Sequence, residues 1–221
     1  MARLGAGLAA LTTVSSVAAG PLMAREVAAG PWAPTRHPQD DWLDEIPGQH
    51  RMFFDATSPM GAGEALTYAN NFLTASRQGY ALGDADSAIV ICLRHWATPF
   101  AFSDATWAKY GAILTDRSRF VDPKTNATPV INVYLASTYG MQLPNRGNTF
   151  ADAVRHRIHF AVCDLSMRAL AGVAAERMQV PAESVHAEMR VSLHANSHVV
   201  PAGIVAVNRA QERGYAITHI G

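Results

Sequence analysis

The chain has 221 residues, 49% hydrophobic and 16% charged. That is room for one domain with a full core plus an appendage, and it fits neither a disordered nor a highly charged polypeptide. Lys+Arg and Asp+Glu number 18 each, so the formal net charge is zero; there is no electrostatic footprint for nucleic acid, and no basic tract supplies one. Two cysteines exclude a disulfide-rich scaffold and a four-cysteine zinc site, though not a single disulfide.

The amino terminus reads as an address. Arg3 precedes an uncharged, moderately apolar run from Leu4 to Val17, and Ala18-Ala19-Gly20 and Leu22-Met23-Ala24 then offer small-residue cleavage sites. This is the order of regions in an export signal, so residues 1–24 are expected to be a signal peptide. The protein is expected in the periplasm, or in the cytoplasm if the segment is not a signal. The apolar run is too short and too mild for a stable membrane span. Residues 25–48 form a proline-rich linker, with Asp40 to Pro47 as a short turn of helix or a packing arm. The folded domain is expected at 49–221.

Within it, His50 to Asp55 reads as a first strand, Thr57 to Gly63 as a loop and Glu64 to Arg77 as a helix. Ser87 to Leu93 is a continuous apolar run, the mark of a strand covered on both sides. A loop and a helix around Trp107 follow. Thr128 to Leu135 reads as a third strand or as a loop with strand-like patches. Asn148 to Arg157 is a short helix leading into a strand that ends at Cys163. Helices are expected from there to Met178, over Glu183 to Leu193 and over Ala202 to Arg213. His198 to Pro201 and Tyr215 to Ile220 are short extended pieces. Strands alternating with helices predict an α/β fold: a three-layer α/β/α sandwich with a mostly parallel sheet of about five strands.

Cys163 is the first candidate for chemistry. It sits where the apolar strand Ile158, Phe160, Val162 gives way to a helix carrying Met167, Leu170, Ala171, Ala174 and Met178 at helical spacing. Unpaired N–H groups and the helix dipole there favour negative charge, and the thiolate is the reactive form of cysteine. A cysteine is equally at home as a small buried hydrophobe, and Asp164 adds a charge that opposes a thiolate. Low burial of the sulfur with a pocket beside it would favour chemistry; a sealed sulfur would favour a structural role. Arg94 and His95 follow the second strand on the same sheet edge: Arg94 could hold an anion such as a sulfur oxyanion, and His95 could act as a base or a ligand, or simply bond to backbone in a structured loop where Trp96 packs. Cys92, mid-strand, reads as buried filler.

Other signals are weaker. His156 and His159 straddle a helix end and a strand start, so a solvated basic turn accounts for them better than a metal. His186, His194 and His198 are scattered. Gly61-Ala-Gly63 before a helix matches neither phosphate-binding fingerprint.

The Cys163 junction, with its small-residue helix and arginine, and the tail Val199-Val-Pro-Ala-Gly-Ile-Val through Gly214-Tyr215-Ala-Ile together resemble the DsrE/DsrF-like family of small sulfur-relay proteins, over roughly residues 49 to 221. The resemblance implies a five-stranded parallel sheet between helices, a homo-oligomer, and a persulfide carried on Cys163 and exchanged with a sulfur donor or acceptor protein. It implies no metal and no organic cofactor. Residues from about 116 to 150 are an insertion relative to that family. The alternative is a non-catalytic exported domain that oligomerises and binds a small ligand or a protein partner.

Overall fold

A computed structural model describes residues 33–221; the expected signal peptide and the start of the linker lie outside the described residues. Five strands form one all-parallel sheet in the order β4-β3-β2-β1-β5. They are β1 (His50–Ala56), β2 (Ser87–Leu93), β3 (His159–Cys163), β4 (Ser197–Val200) and β5 (Ala216–Ile220). The helices are α1 (Trp42–Glu45), α2 (Pro59–Tyr80), α3 (Asp104–Leu114), α4 (Phe150–Arg155), α5 (Asp164–Met178), α6 (Ala182–Val191) and α7 (Gly203–Gln211).

Steps from β1 through β4 all run the same way across the sheet, and only the last connection reverses to place β5 beside β1. Parallel crossovers share one hand, so helices before and after that reversal fall on opposite faces. One face carries Phe54, Ile89, Ile91, Leu93, Phe160 and Val162 under residues of α2 to α6; the other carries Phe53, Val90, Cys92, Ala161 and Val200 under α7 and the arm residues Leu43 and Ile46. The result is the expected α/β sandwich. β2 is buried along its whole length, as its unbroken apolar run requires.

Local differences from the sequence reading have physical causes. Helix α2 begins at Pro59, five positions before Glu64. Ser58 caps it by accepting a hydrogen bond from the Gly61 N–H (2.9 Å), and Pro59 sits in the first turn, where its missing N–H costs nothing. Gly61 and Gly63 are therefore helical and serve close packing: a Cβ at Gly61 would lie 2.6 Å from the Ile220 carbonyl oxygen, and one at Gly63 would lie 2.7 Å from the Tyr134 ring. Residues 128–135 form no strand. The chain passes there as a loop with a 3-10 turn at Val133–Leu135, because buried Asn132 turns its amide onto the Phe100 and Phe102 carbonyls (2.8 and 2.9 Å). In α5 the buried stripe is Met167, Ala171, Ala174 and Ala175, whereas Met178 is exposed.

The arm joins the second face through a stacked column. Trp42 lies flat on His198 (centroids 3.9 Å apart, 8° between planes), and His198 Nε2 is 2.9 Å from His159 Nδ1. Tyr215 Oη and Arg51 both donate to the Leu43 carbonyl (2.7 and 3.0 Å). Burial, reinforced by His159, pushes His198 down to about 4 from 6.5, and burial also lowers His159. A histidine with a depressed folded pKa contributes stability that is complete above its unfolded value and is lost as pH falls toward the folded one. Wild type should therefore lose stability in urea titrations between about pH 6.5 and 4. His198→Phe, which keeps the stack without the titration, should show a smaller loss over that window.

Candidate functional site

The carboxyl ends of the strands bring the candidate residues to one edge. Cys163 ends β3 and is the residue immediately before α5. Ser166, one turn into α5, donates its hydroxyl to Cys163 Sγ at 3.3 Å and accepts the His95 backbone N–H at 3.1 Å. His95 adopts a left-handed backbone (φ 55°) to make that bond, a strained state that persists only where surroundings hold it. Its imidazole is exposed, and burial together with neighbouring Arg94 lowers its pKa, so the ring is neutral near pH 7.

Beside this relay a cavity of about 360 Å³ opens between α3, α5 and the 3-10 segment His95–Ala101. Trp96, Ile113, Leu114, Leu165, Leu170 and Val173 supply apolar wall, while His95, Ser166, Asp116 and Arg117 supply polar groups. Its volume is in the range of small-molecule sites. Cys163 is not in the wall; Ser166 stands between the sulfur and the cavity.

The expectation of an exposed sulfur fails: Cys163 is 5% exposed. Yet it belongs to neither apolar cluster among the described residues, whereas Cys92 is fully buried within the second one. Cys92 is thus the expected filler, and burial pushes its thiol well above the ordinary value. Both cysteines are free. Asp164, next to the thiol in sequence, has partners of its own. Its carboxylate points to α6, taking hydrogen bonds from His186 Nε2 and Arg168 Nε at 2.7 Å each, with Arg190 3.6 Å away. Burial would raise this carboxyl, but Arg168 and His186 outweigh it and hold it low.

Arg94 is differently employed from the sequence reading. Its Nε and Nη2 donate to the two oxygens of Asp55, at the end of β1, at 2.6 and 2.8 Å. His219 of β5 contacts the same carboxylate at 2.9 Å. Gly203 makes room for the arginine stem, since a Cβ there would lie 2.5 Å from Arg94 Cβ. The crevice between β1 and β5, where the sheet order reverses and open α/β folds favour ligands, is bridged by the Thr57 N–H bond to the Ile220 carbonyl (3.0 Å). The open cavity lies instead beside β2 and β3.

The other histidines separate. His156 pairs with Asp84 (2.7 Å), His159 with His198, His186 with Asp164, and His194 Nε2 lies 2.9 Å from the Phe100 carbonyl. Among the described residues no group of three or more His, Cys, Asp or Glu could hold a metal ion, and no helix is long and apolar enough to cross a membrane. Sequence reasoning missed Ser166, Asp55, His219 and Arg117. Only Ser166 carried a local signal, its position one helical turn after the cysteine. No protein-family model matches the chain, and no curated protein or solved structure matches it.

Proposed function

We propose that this is a sulfur-handling protein of DsrE-like character, in which Cys163 accepts sulfur as a persulfide. The observation that carries the reading is the Ser166 hydroxyl donating to Cys163 Sγ at 3.3 Å beside an open cavity. A helix start and a neighbouring hydroxyl donor are the kind of surroundings in which nucleophilic cysteines occur. The Cys163 thiolate attacks the outer sulfur of a donor persulfide R–S–SH; the donor S–S bond breaks, Cys163–S–SH forms, and R–S⁻ departs with the electron pair. Transfer to an acceptor thiolate is the same step with Cys163 as leaving group. No metal or organic cofactor enters it.

The second reading is a non-catalytic, exported, oligomeric domain that binds a small ligand or partner. It is favoured by the 5% exposure of Cys163. Intact-mass measurement after incubation with a small persulfide donor separates the two. Wild type and Cys92→Ala should each gain one sulfur atom, and Cys163→Ser none. No gain in wild type, or a gain that survives Cys163→Ser, rejects the transfer reading.

A further inference from the structure

We infer that the cavity between α3 and α5 is a binding site for a small apolar monocarboxylate, its hydrocarbon body among Ile113, Leu114, Leu170 and Val173 and its carboxylate against Arg117. The inference does not depend on sulfur transfer at Cys163.

Three observations carry it. First, the wall is chiefly aliphatic, so the body of the ligand is apolar; a polar body would lose its water without replacement bonds. Second, the charged groups at the cavity are unequal. Asp116 is taken by Arg177 at 2.7 Å, whereas Arg117 has no ion-pair partner among the described residues and is exposed there. A guanidinium is planar and always charged, and it matches a carboxylate with two parallel bonds. Third, the remaining polar groups add no competing charge. The Ser166 hydroxyl is committed to Cys163 and to the His95 N–H, and His95 is neutral near pH 7. The site therefore offers an apolar slot with one unmatched positive end, and about 360 Å³ suits a compact ligand rather than a long lipid chain.

Octanoate, octanol and octylamine are the probes, titrated by calorimetry into the full chain. Octanoate should bind wild type more tightly than octanol, and octylamine least. Arg117→Gln, at an exposed position that leaves folding intact, should weaken octanoate about tenfold while leaving octanol unchanged. Ala169→Phe, which puts a ring at the cavity wall, should abolish binding of both. Cys163→Ser should bind octanoate as wild type does, so a failure of the sulfur proposal leaves this one standing. Absence of octanoate binding, equal binding of octylamine, or indifference to Arg117→Gln or Ala169→Phe would each overturn the assignment.

Discussion

Asp55→Ala should lower the free energy of unfolding by about 3–5 kcal/mol, the cost of breaking a buried ion pair from one side. The Asp55 side chain is 4% exposed and that of Arg94 21%, so the guanidinium left behind cannot recover full hydration. Burial by itself would raise the Asp55 pKa, but the Arg94 fork and His219 outweigh it and hold the carboxyl below its ordinary 3.8. A depressed acid stabilises above its unfolded pKa and ceases to do so as pH falls through its folded one. The difference between wild type and Asp55→Asn in urea should therefore persist at neutral pH and shrink in acid below about 3.8. The double variant Asp55→Leu/Arg94→Met should recover most of the loss, because it removes both charges and leaves neither unpaired. A double variant no more stable than Asp55→Ala would mean that the pair acts through shape rather than charge. This pair also explains why Arg94 is a poor candidate for holding substrate: its best bonds are already made within the fold.

Asn132→Leu should cost about 3 kcal/mol, although it places an apolar side chain at a fully buried position. Asn132 donates to the Phe100 and Phe102 carbonyls and accepts the Tyr134 N–H at 3.2 Å. Leucine strands the Phe102 carbonyl and the Tyr134 N–H without partners. The Phe100 carbonyl keeps His194 as a neighbour, so the loss is partial there. Asn132→Asp should cost more, since it aims an anion at two carbonyl oxygens. Guanidinium denaturation of the three proteins checks the order; a stabilised Asn132→Leu would show that the segment around it is held by apolar contact alone. Tyr134 then follows, because its hydroxyl donates to the Pro59 carbonyl at 2.9 Å and fastens this segment to the start of α2.

These two residues mark where sequence reasoning reaches its limit. The segment around Asn132 has the β-branched composition of a strand, and Val133 and Tyr134 are fully buried while Val130 is exposed. What prevents a strand is a set of carbonyls some 30 residues away that need a donor, and nothing local announces them. Arg94 was placed correctly at the sheet edge, yet its partner comes from another strand, 39 positions earlier. Cys163 was placed correctly at a strand–helix junction, but the degree of its burial depends on how α5 and the His95 segment pack around it. Asp164, adjacent in sequence, pairs with His186 from a different helix.

By itself the sequence determined the α/β class, the approximate places of the five strands that form, a mostly parallel sheet and the junction at Cys163, because each of these is written in local alternation, apolar runs and turn residues. Only the tertiary structure decided which side chains meet: the Ser166–Cys163 contact, the Arg94–Asp55 pair, the Trp42–His198–His159 stack and the cavity with its unmatched Arg117. The reason is physical. Periodicity reports which face of an element is buried, whereas partners and cavities depend on how separate elements, distant along the chain, come to share one edge of the sheet.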